Sequence, residues 1–336
     1  MPAETPIEWT DATWNPVRGC SRVSPGCENC YAEVMAARFS DKGQPFHGFA
    51  VRGPNGARWT RRLALVDDRT FPRHGKLDLP LRWKRPRRIF VNSMSDLFHE
   101  GLTNEQIAAV FGVMAASPQH TFQVLTKRAE RMAQWFQWAW DQRCHGNTTA
   151  EILRGHAIDH CGFTKPDGST PRGLGRKLLG FDMRWPLPNV WMGVSAEDQD
   201  CADDRLSQLL TIPAAVHFMS YEPALNSVDL FAFLKTKLRD DALRHLTPPN
   251  IPGLSWVIVG GESGSRARPF HVKWARDVVR QCKDAGVPVF VKQLGAQPID
   301  ENGERMHLKN KKGNDPREWP ADLRSLREWP IVEQAA

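Results

Sequence analysis

The sequence predicts an α/β protein, a full or partial (β/α) barrel (TIM barrel) of about six or seven strand–helix units. Short apolar runs alternate with helical patterns along most of the 336 residues. Polar clusters follow these runs, as expected where parallel strands end. The chain is 41% hydrophobic, enough for a full core, and lacks an apolar run that could span a membrane. A doubly wound open sheet is the alternative.

The predicted elements follow one another in a regular order. A short strand around Trp14 precedes a cysteine-rich loop, and a helix over residues 31–39 follows it. Further strands are predicted at 89–92, 122–125, 190–194, 216–219, 256–259 and 287–291. A helix is predicted at 104–116 with Thr103 as N-cap, a second ends at Trp140 and a third ends near Leu210. Two more are predicted at 228–238 and at 273–285.

Two long segments interrupt this rhythm. Residues 40–87 are rich in Gly, Pro and Arg and show no periodic element, and residues 141–188 form a second excursion. From about residue 299 the chain becomes polar. We therefore predict one barrel domain over residues 1–298 with two excursions, followed by a polar extension over residues 299–336 that covers the mouth or trails in solvent.

The most informative motif is a loop with three cysteines, Cys20, Cys27 and Cys30. Three soft thiolates on a Gly- and Pro-rich loop can hold a metal or an iron–sulfur cluster. A closed structural site usually has four protein ligands, whereas three cysteines on a four-iron cluster leave one iron open to a cofactor or substrate. The spacing therefore favours a reactive metal centre.

Zinc is the alternative at this loop, with His47 or His99 as a distant fourth ligand. A second zinc arrangement would use His156 and His160 with Cys144 and Cys161, although their order matches no strong signature. A disulfide is disfavoured because three is an odd number and the start of the chain does not resemble a signal peptide. We therefore expect a cytoplasmic protein with reduced thiols.

The charge favours an anionic partner, with nucleic acid first. The formal net charge is +7 and the sequence pI is about 9.1. Basic residues cluster with tryptophan at 82–88 and at 58–62, where they could meet phosphates and stacked bases. Solvated basic loops are the alternative at both segments.

An ordered set of short motifs resembles the phage Gp37/Gp68 family, a group of radical-SAM-like proteins common in phages and prophages. The motifs are Trp14-Asn15-Pro16 before Gly19-Cys20, residues 24–33 around Cys27 and Cys30, Ser95-Asp96-Leu97-Phe98, Leu125-Thr126-Lys127-Arg128, Gly193-Val194-Ser195 with Glu197-Asp198, Glu222-Pro223, and Gly260-Gly261-Glu262-Ser263-Gly264 at the end of 256–264. The resemblance covers most of the chain.

The resemblance implies a radical-SAM-like barrel that holds a 4Fe-4S cluster through Cys20, Cys27 and Cys30. S-adenosylmethionine at the open iron would yield a 5′-deoxyadenosyl radical, fed by an electron donor. A nucleic acid or nucleotide is the expected substrate, for DNA modification or repair of a base lesion. The catalytic residues and the oligomeric state are not predicted.

The resemblance also assigns residues at the strand ends. The predicted cofactor-binding residues are Gly260, Gly261, Glu262, Tyr31, Ser195 and Glu197. The predicted substrate-binding residues are Asp96, Lys127, Arg128, Glu222 and Lys292. Glu262 is expected to meet the amino group of S-adenosylmethionine.

The chain departs from the usual radical SAM pattern in its cysteine spacing and in the late position of Gly260-Gly261-Glu262. The two glycines could instead form a tight turn that needs positive φ. Two alternatives to a radical SAM enzyme stay open: a non-catalytic, zinc-containing, nucleic-acid-binding phage protein, or an iron–sulfur protein that does not use S-adenosylmethionine.

Overall fold

The computed structural model describes residues 5–54, 56–67, 76–142, 148–161, 185–234 and 253–331. Its helices are α1 (Tyr31–Arg38), α2 (Leu79–Arg82), α3 (Asn104–Ala115), α4 (Ala129–Asp141), α5 (Thr149–His160), α6 (Gln199–Leu209) and α7 (Val272–Ala285). Its strands are β1 (Ala12–Trp14), β2 (Val17–Arg18), β3 (Ala50–Gly53), β4 (Gly56–Trp59), β5 (Ala64–Leu65), β6 (Arg88–Val91), β7 (Thr121–Thr126), β8 (Val190–Ser195), β9 (Val216–Tyr221), β10 (Trp256–Gly260), β11 (Phe270–His271), β12 (Val289–Gln293) and β13 (Pro298–Ile299).

Seven strands form one parallel sheet in the order β1-β6-β7-β8-β9-β10-β12. The strands follow one another in the sheet as they do along the chain, because right-handed crossovers lay each new strand beside the last. The predicted α/β class is therefore confirmed, and the strand order is compatible with a partial (β/α) barrel.

Most of the predicted elements are present, with ends that differ by a few residues. The helix from Asn104 begins at Thr103 with a full capping box, in which Thr103 and Gln106 each satisfy the other's backbone N–H. The short helix predicted at 228–238 is wrong where it can be compared, since residues 228–230 are irregular, 231–233 form a turn and Leu234 forms an isolated β-bridge with Leu254. The remainder lies outside the described residues.

The chain forms two compact units. The first comprises residues 1–22, 30–191 and 213–215, and contains β1, β6 and β7. In this unit α3 packs against α5 so closely that a Cβ on Gly112 would lie 2.2 Å from the carbonyl oxygen of Leu153. Only glycine allows this approach, which fixes the pair of helices.

Residues 40–87 contain more regular structure than the sequence predicted. Strands β3 and β4 pair in an antiparallel hairpin, β5 pairs with β2, and α2 follows. The strands are only two to four residues long. Because so short a strand contains at most one or two alternations of apolar and polar residues, its periodicity is not visible in the sequence.

The second unit comprises residues 23–29, 192–212 and 216–336, and contains β9, β10 and β12. The predicted polar extension packs here: Trp319 and Leu323 are buried, and the N–H of Val291 donates to the carbonyl of Leu326. The chain after residue 299 therefore covers β12 rather than trailing in solvent. Within the part of the chain that is described, no helix is both long and apolar enough to cross a membrane.

Candidate functional site

None of the three cysteines of the loop is in a disulfide, and each is partly buried. Cys20 follows β2, Cys27 ends a short 3-10 turn over Pro25–Cys27, and Cys30 is the N-cap of α1. Cys20 and Cys30 belong to the first unit, and Cys27 to the second. The loop therefore offers three unoxidised sulfur donors, as soft metals require.

In the first unit, Arg128 and Asp96 form a buried ion pair beside Cys20. Nη1 of Arg128 donates to Oδ2 of Asp96 at 3.1 Å, and the two side chains are 4% and 9% exposed. The same Nη1 lies 4.0 Å from Sγ of Cys20. Nη2 of Arg128 donates to the carbonyl and the hydroxyl oxygen of Ser21 at 3.0 and 2.9 Å. Arg128 therefore links the end of β7 to the start of the cysteine loop.

The carboxylate of Asp96 is held on both oxygens. Thr126 Oγ1 donates to Oδ1 at 2.7 Å, and the backbone N–H of Phe98 donates to the same atom at 3.0 Å. The backbone N–H of Lys127 donates to Oδ2 at 3.1 Å. Asp96 and Lys127 were predicted to bind substrate; in the structure, the contacts of the carboxylate fix the end of β7 and the position of Arg128.

His99, one possible zinc ligand, is buried and uses both ring nitrogens. The N–H of Gly101 donates to Nδ1 at 3.0 Å, so Nε2 carries the proton and donates to Ser21 Oγ at 2.8 Å. Burial lowers the pKa of His99, and the charge of Arg128 lowers it further. A neutral ring with both nitrogens engaged has no lone pair to offer a metal. The other candidate, His47, is exposed, and its Nδ1 contacts the carbonyl oxygen of Ser40 at 3.2 Å.

The thiol of Cys20 is strongly protonated in this setting. Burial raises its pKa to about 12, the charge of Asp96 adds to the shift, and Arg128 opposes it. Metal ions bind the thiolate, so loading a metal on Cys20 would release a proton.

In the second unit, Glu197 holds the loop at Gly26. Its carboxylate is fully buried; Oε1 accepts from the N–H of Gly26 at 3.0 Å, and Oε2 accepts from Nη1 of Arg205 at 3.0 Å. Nη1 of Arg205 also donates to the carbonyl of Ser195 at 2.6 Å. A Cβ on Gly26 would lie 3.0 Å from the carboxyl carbon of Glu197, so a larger residue would crowd this carboxylate.

Glu262 holds the same loop at Asn29, the residue before Cys30. Nδ2 of Asn29 donates to Oε2 of Glu262 at 3.0 Å, while the backbone N–H and guanidinium of Arg268 donate to both carboxylate oxygens at 2.8–3.1 Å. Arg268 also donates to Glu28 at 3.2 Å. Burial alone would raise the pKa of Glu262, but the hydrogen bonds from Arg268 and Asn29 outweigh it and leave the pKa lowered. A cofactor amino group would compete with these donors.

Glu222 and Lys292 form an ion pair across the end of β10. Nζ of Lys292 lies 2.5 Å from Oε1 of Glu222, and a Cβ on Gly260 would lie 3.2 Å from the carboxyl carbon of Glu222. A Cβ on Gly261 would lie 2.5 Å from the carbonyl oxygen of Leu294. Neither glycine has positive φ, so the alternative of a turn that needs positive φ is wrong. The close approach of the Leu294 backbone explains glycine at position 261.

The remaining predicted residues lie on the same loops or on α5. Tyr31 is half exposed and donates from its hydroxyl to the carbonyl of Ser93 at 2.5 Å. Ser195 donates to the carbonyl of Glu222 at 2.9 Å. His160 Nδ1 lies 2.9 Å from Oδ2 of Asp67. Cys144, from the second zinc arrangement, lies outside the described residues.

The chemistry of the donor set fits an iron–sulfur cluster, because three cysteines that are not in disulfides share one short loop and a guanidinium lies beside one of them. Among the residues that the structure describes, no three Cys, His, Asp or Glu side chains form a preformed metal site. The donors are therefore suitable in kind.

Several residues of these networks were missed by sequence reasoning. Arg205 and Arg268 lie inside or before helices, where arginine usually indicates a solvated face, and Asn29 is an ordinary polar residue of the cysteine loop. Arg205 and Arg268 pair with carboxylates eight and six residues earlier, a spacing that matches no helical pair, and Asn29 donates to a carboxylate 233 positions away. No local pattern contains that information.

Fold and site together define an α/β protein with a cysteine-rich loop held by buried carboxylate–arginine pairs. Residues 4–321 match the family model described as "Protein of unknown function (DUF5131)", and the chain belongs to that family. No curated protein matches the chain. No solved structure matches it.

Proposed function

We propose that this chain is a radical-SAM-like iron–sulfur enzyme in which Cys20, Cys27 and Cys30 hold a 4Fe-4S cluster. The observation that carries the proposal is that none of the three cysteines is in a disulfide and that buried carboxylates fix their loop. Three cysteines would leave one iron open for S-adenosylmethionine. The bound cofactors would supply reductive cleavage of S-adenosylmethionine to a 5′-deoxyadenosyl radical that abstracts hydrogen from substrate. Kinship to the phage Gp37/Gp68 family, with an electron donor as partner, belongs to this proposal.

In this function, the protein's own residues hold the cysteine loop in place and supply a positive charge beside Cys20. Glu197 fixes the backbone at Gly26, and Glu262 fixes the side chain of Asn29. Arg128 brings a positive charge near Cys20, which would favour its thiolate once metal is present. In this account Glu262 is a positioning residue for the loop.

S-adenosylmethionine cleavage tests the proposal. Protein reconstituted anaerobically with iron and sulfide, then given dithionite and S-adenosylmethionine, is expected to form 5′-deoxyadenosine. A matched sample of the Cys27→Ala variant is expected to form none. A stable cluster without 5′-deoxyadenosine would contradict the radical SAM assignment and favour an iron–sulfur protein that does not use S-adenosylmethionine.

Nucleic acid is the proposed substrate class, supported by the charge of +7 and by exposed basic residues at 82–88. The tryptophans of the two basic segments have internal partners: Trp59 packs against Phe46, and Trp83 against His120. Contacts here would therefore be made to phosphates rather than by stacking. Lys84 and Arg85 are exposed, as is Arg82, which forms an ion pair with Asp78.

Replacing Lys84 and Arg85 together with glutamine is expected to weaken binding to a short DNA duplex and to lower the salt slope by up to about two units, since each phosphate contact releases counterions. Fluorescence anisotropy over a series of salt concentrations measures the slope. Arg280→Gln with Lys283→Gln on α7 is the charge-matched control. An equal slope in both double variants would remove segment 82–88 from the interface.

A further inference from the structure

Helix α1 carries an exposed apolar stripe that begins beside Cys30. Tyr31, Met35 and Phe39 are 51%, 37% and 45% exposed. They are spaced four residues apart, so the three side chains lie one above the other on a single side of the helix. Phe39 is the C-cap, and its backbone N–H still donates to the carbonyl of Ala36. The α1 stripe therefore extends over the whole length of the helix.

Other residues of α1 attach the helix to the first unit. Ala36 and Ala37 form a small core with Ala50 of the β3–β4 hairpin, and Trp59 packs against it. Glu33 is also buried, and its carboxylate accepts from the backbone N–H of Trp59 at 2.8 Å. The helix is thus packed without help from the α1 stripe. Single apolar residues are ordinary on a protein surface, whereas a contiguous row indicates an interaction site.

Tyr31, at the cysteine end of the α1 stripe, is held in place by its hydroxyl. The hydroxyl donates to the carbonyl of Ser93 at 2.5 Å, while half of the residue stays exposed. A ring that is already fixed at one end loses little conformational freedom when a ligand stacks on it. Tyr31 is therefore prepared for a flat ligand.

Positive charge lies next to the α1 stripe. Arg38 is exposed in the last turn of α1, and the guanidinium of Arg52 donates to the carbonyls of Ala37 and Arg38 at 2.8 and 2.7 Å. Neither guanidinium pairs with a carboxylate of the residues that the structure describes. Residues 31–62 contain six Lys or Arg against two Asp or Glu, a net charge of +4, and Glu33 is buried. An anionic chain is the complementary partner.

We propose that the α1 stripe is a docking surface for single-stranded DNA, whose bases stack on Tyr31 and Phe39 while its phosphates contact Arg38 and Arg52. Aromatic rings beside basic side chains are the combination that single-strand-binding proteins use. A duplex keeps the faces of its bases covered by their neighbours, so exposed rings favour a single strand. The two rings are about 12 Å apart along the helix, roughly the span of three or four stacked nucleotides.

The side chains of the α1 stripe favour DNA over RNA. Every ribose would bring a 2′-hydroxyl, which RNA-binding proteins recognise by hydrogen bonds. Phe39 has no hydrogen-bonding group in its side chain, and the hydroxyl of Tyr31 already donates to Ser93. This inference rests on the proposed function, because it names the form in which DNA would reach the cysteine loop. Tyr31 follows Cys30 directly, so a base stacked on Tyr31 would be the one nearest that loop.

Fluorescence anisotropy of the full chain with a short labelled DNA single strand tests the proposal. The reference is a strand of equal length made of abasic sites, which has the same charge and no bases. The normal strand is expected to bind at least about 5-fold more tightly, because each stacked base adds to the affinity. Equal affinity for both strands would overturn the proposal and leave the α1 stripe to a protein partner. Tighter binding of the same sequence as RNA would overturn the choice of DNA.

Exposed phenylalanines provide a matched pair of variants. Phe39→Ala is expected to weaken binding of the normal strand roughly 5- to 150-fold and to leave binding of the abasic strand unchanged. Phe231→Ala is the control, because Phe231 is 69% exposed but has the carboxylate of Asp229 beside its backbone. It is expected to change neither affinity. A folded Phe39→Ala protein that still prefers the normal strand as strongly as wild type would overturn the proposal.

Two variants of Tyr31 separate its ring from its hydroxyl. Tyr31→Phe keeps the stacking ring and is expected to keep the preference for the normal strand, whereas Tyr31→Ala is expected to lose most of it. Equal loss in both folded variants would show that the hydroxyl, and not stacking, is needed. These measurements need no iron and no S-adenosylmethionine. A negative result would therefore leave the iron–sulfur assignment to its own test, the formation of 5′-deoxyadenosine.

Discussion

Replacing Cys20, Cys27 or Cys30 with alanine is expected to abolish iron binding, whereas Cys282→Ala is expected to leave it unchanged. Each loop variant removes one of three protein ligands, and a cluster with two cysteine ligands would lose iron to solvent or chelator. Cys282 lies in α7 with no exposed surface, and burial raises the pKa of its thiol to about 12. It is a packed core residue and has no access to metal.

Iron and acid-labile sulfide per chain, measured after anaerobic reconstitution and desalting, give the readout for these four variants. Circular dichroism establishes that each variant is folded. Full iron in any of the three loop variants would show that the corresponding thiol is not a ligand. Loss of iron in Cys282→Ala with an intact fold would place the cluster elsewhere.

Replacing Glu197 with glutamine is expected to lower the free energy of unfolding by about 3–5 kcal/mol, the usual effect of removing one partner from a buried ion pair. Glutamine keeps the size of the side chain but leaves Arg205, whose side chain is 7% exposed, without its counter-charge. The hydrogen bond from Gly26 to Glu197 weakens at the same time. The cysteine loop should therefore become less ordered, and the second unit should become less stable.

Urea denaturation followed by tryptophan fluorescence measures this change. Asp322→Asn is the matched control, because Asp322 pairs with Arg276 at the surface and exposed pairs contribute about 0–1 kcal/mol. A destabilisation by Glu197→Gln no larger than that of the control would mean that the buried pair does not hold the unit together.

The strands and helices of the sheet could be predicted because each signal is local. The run at 89–91 is apolar and flanked by polar residues. Thr103 with Gln106 forms a capping box within four residues. The hairpin over 50–59 gave no such signal, since Arg52 and Arg58 occupy strands of four residues. Burial of Trp319 against the second unit depends on a tertiary contact that a polar sequence context conceals.

The sequence predicts the sulfur donors of the site better than the residues that hold the cysteine loop in place. The cysteine spacing can be read directly, and Asp96 and Arg128 follow predicted strands. The contact between Asn29 and Glu262 could not be predicted, because the two residues are 233 positions apart in the sequence. The α1 stripe has the spacing of an ordinary buried helix face, and only its exposure distinguishes it.

The metal bound to wild-type protein purified without oxygen tests the central claim most directly. Elemental and sulfide analysis of the same sample is expected to give about four iron atoms and about four sulfides per chain, with broad visible absorption. One zinc atom per chain, with neither iron nor labile sulfide after reconstitution, would contradict the account and favour a zinc-containing protein.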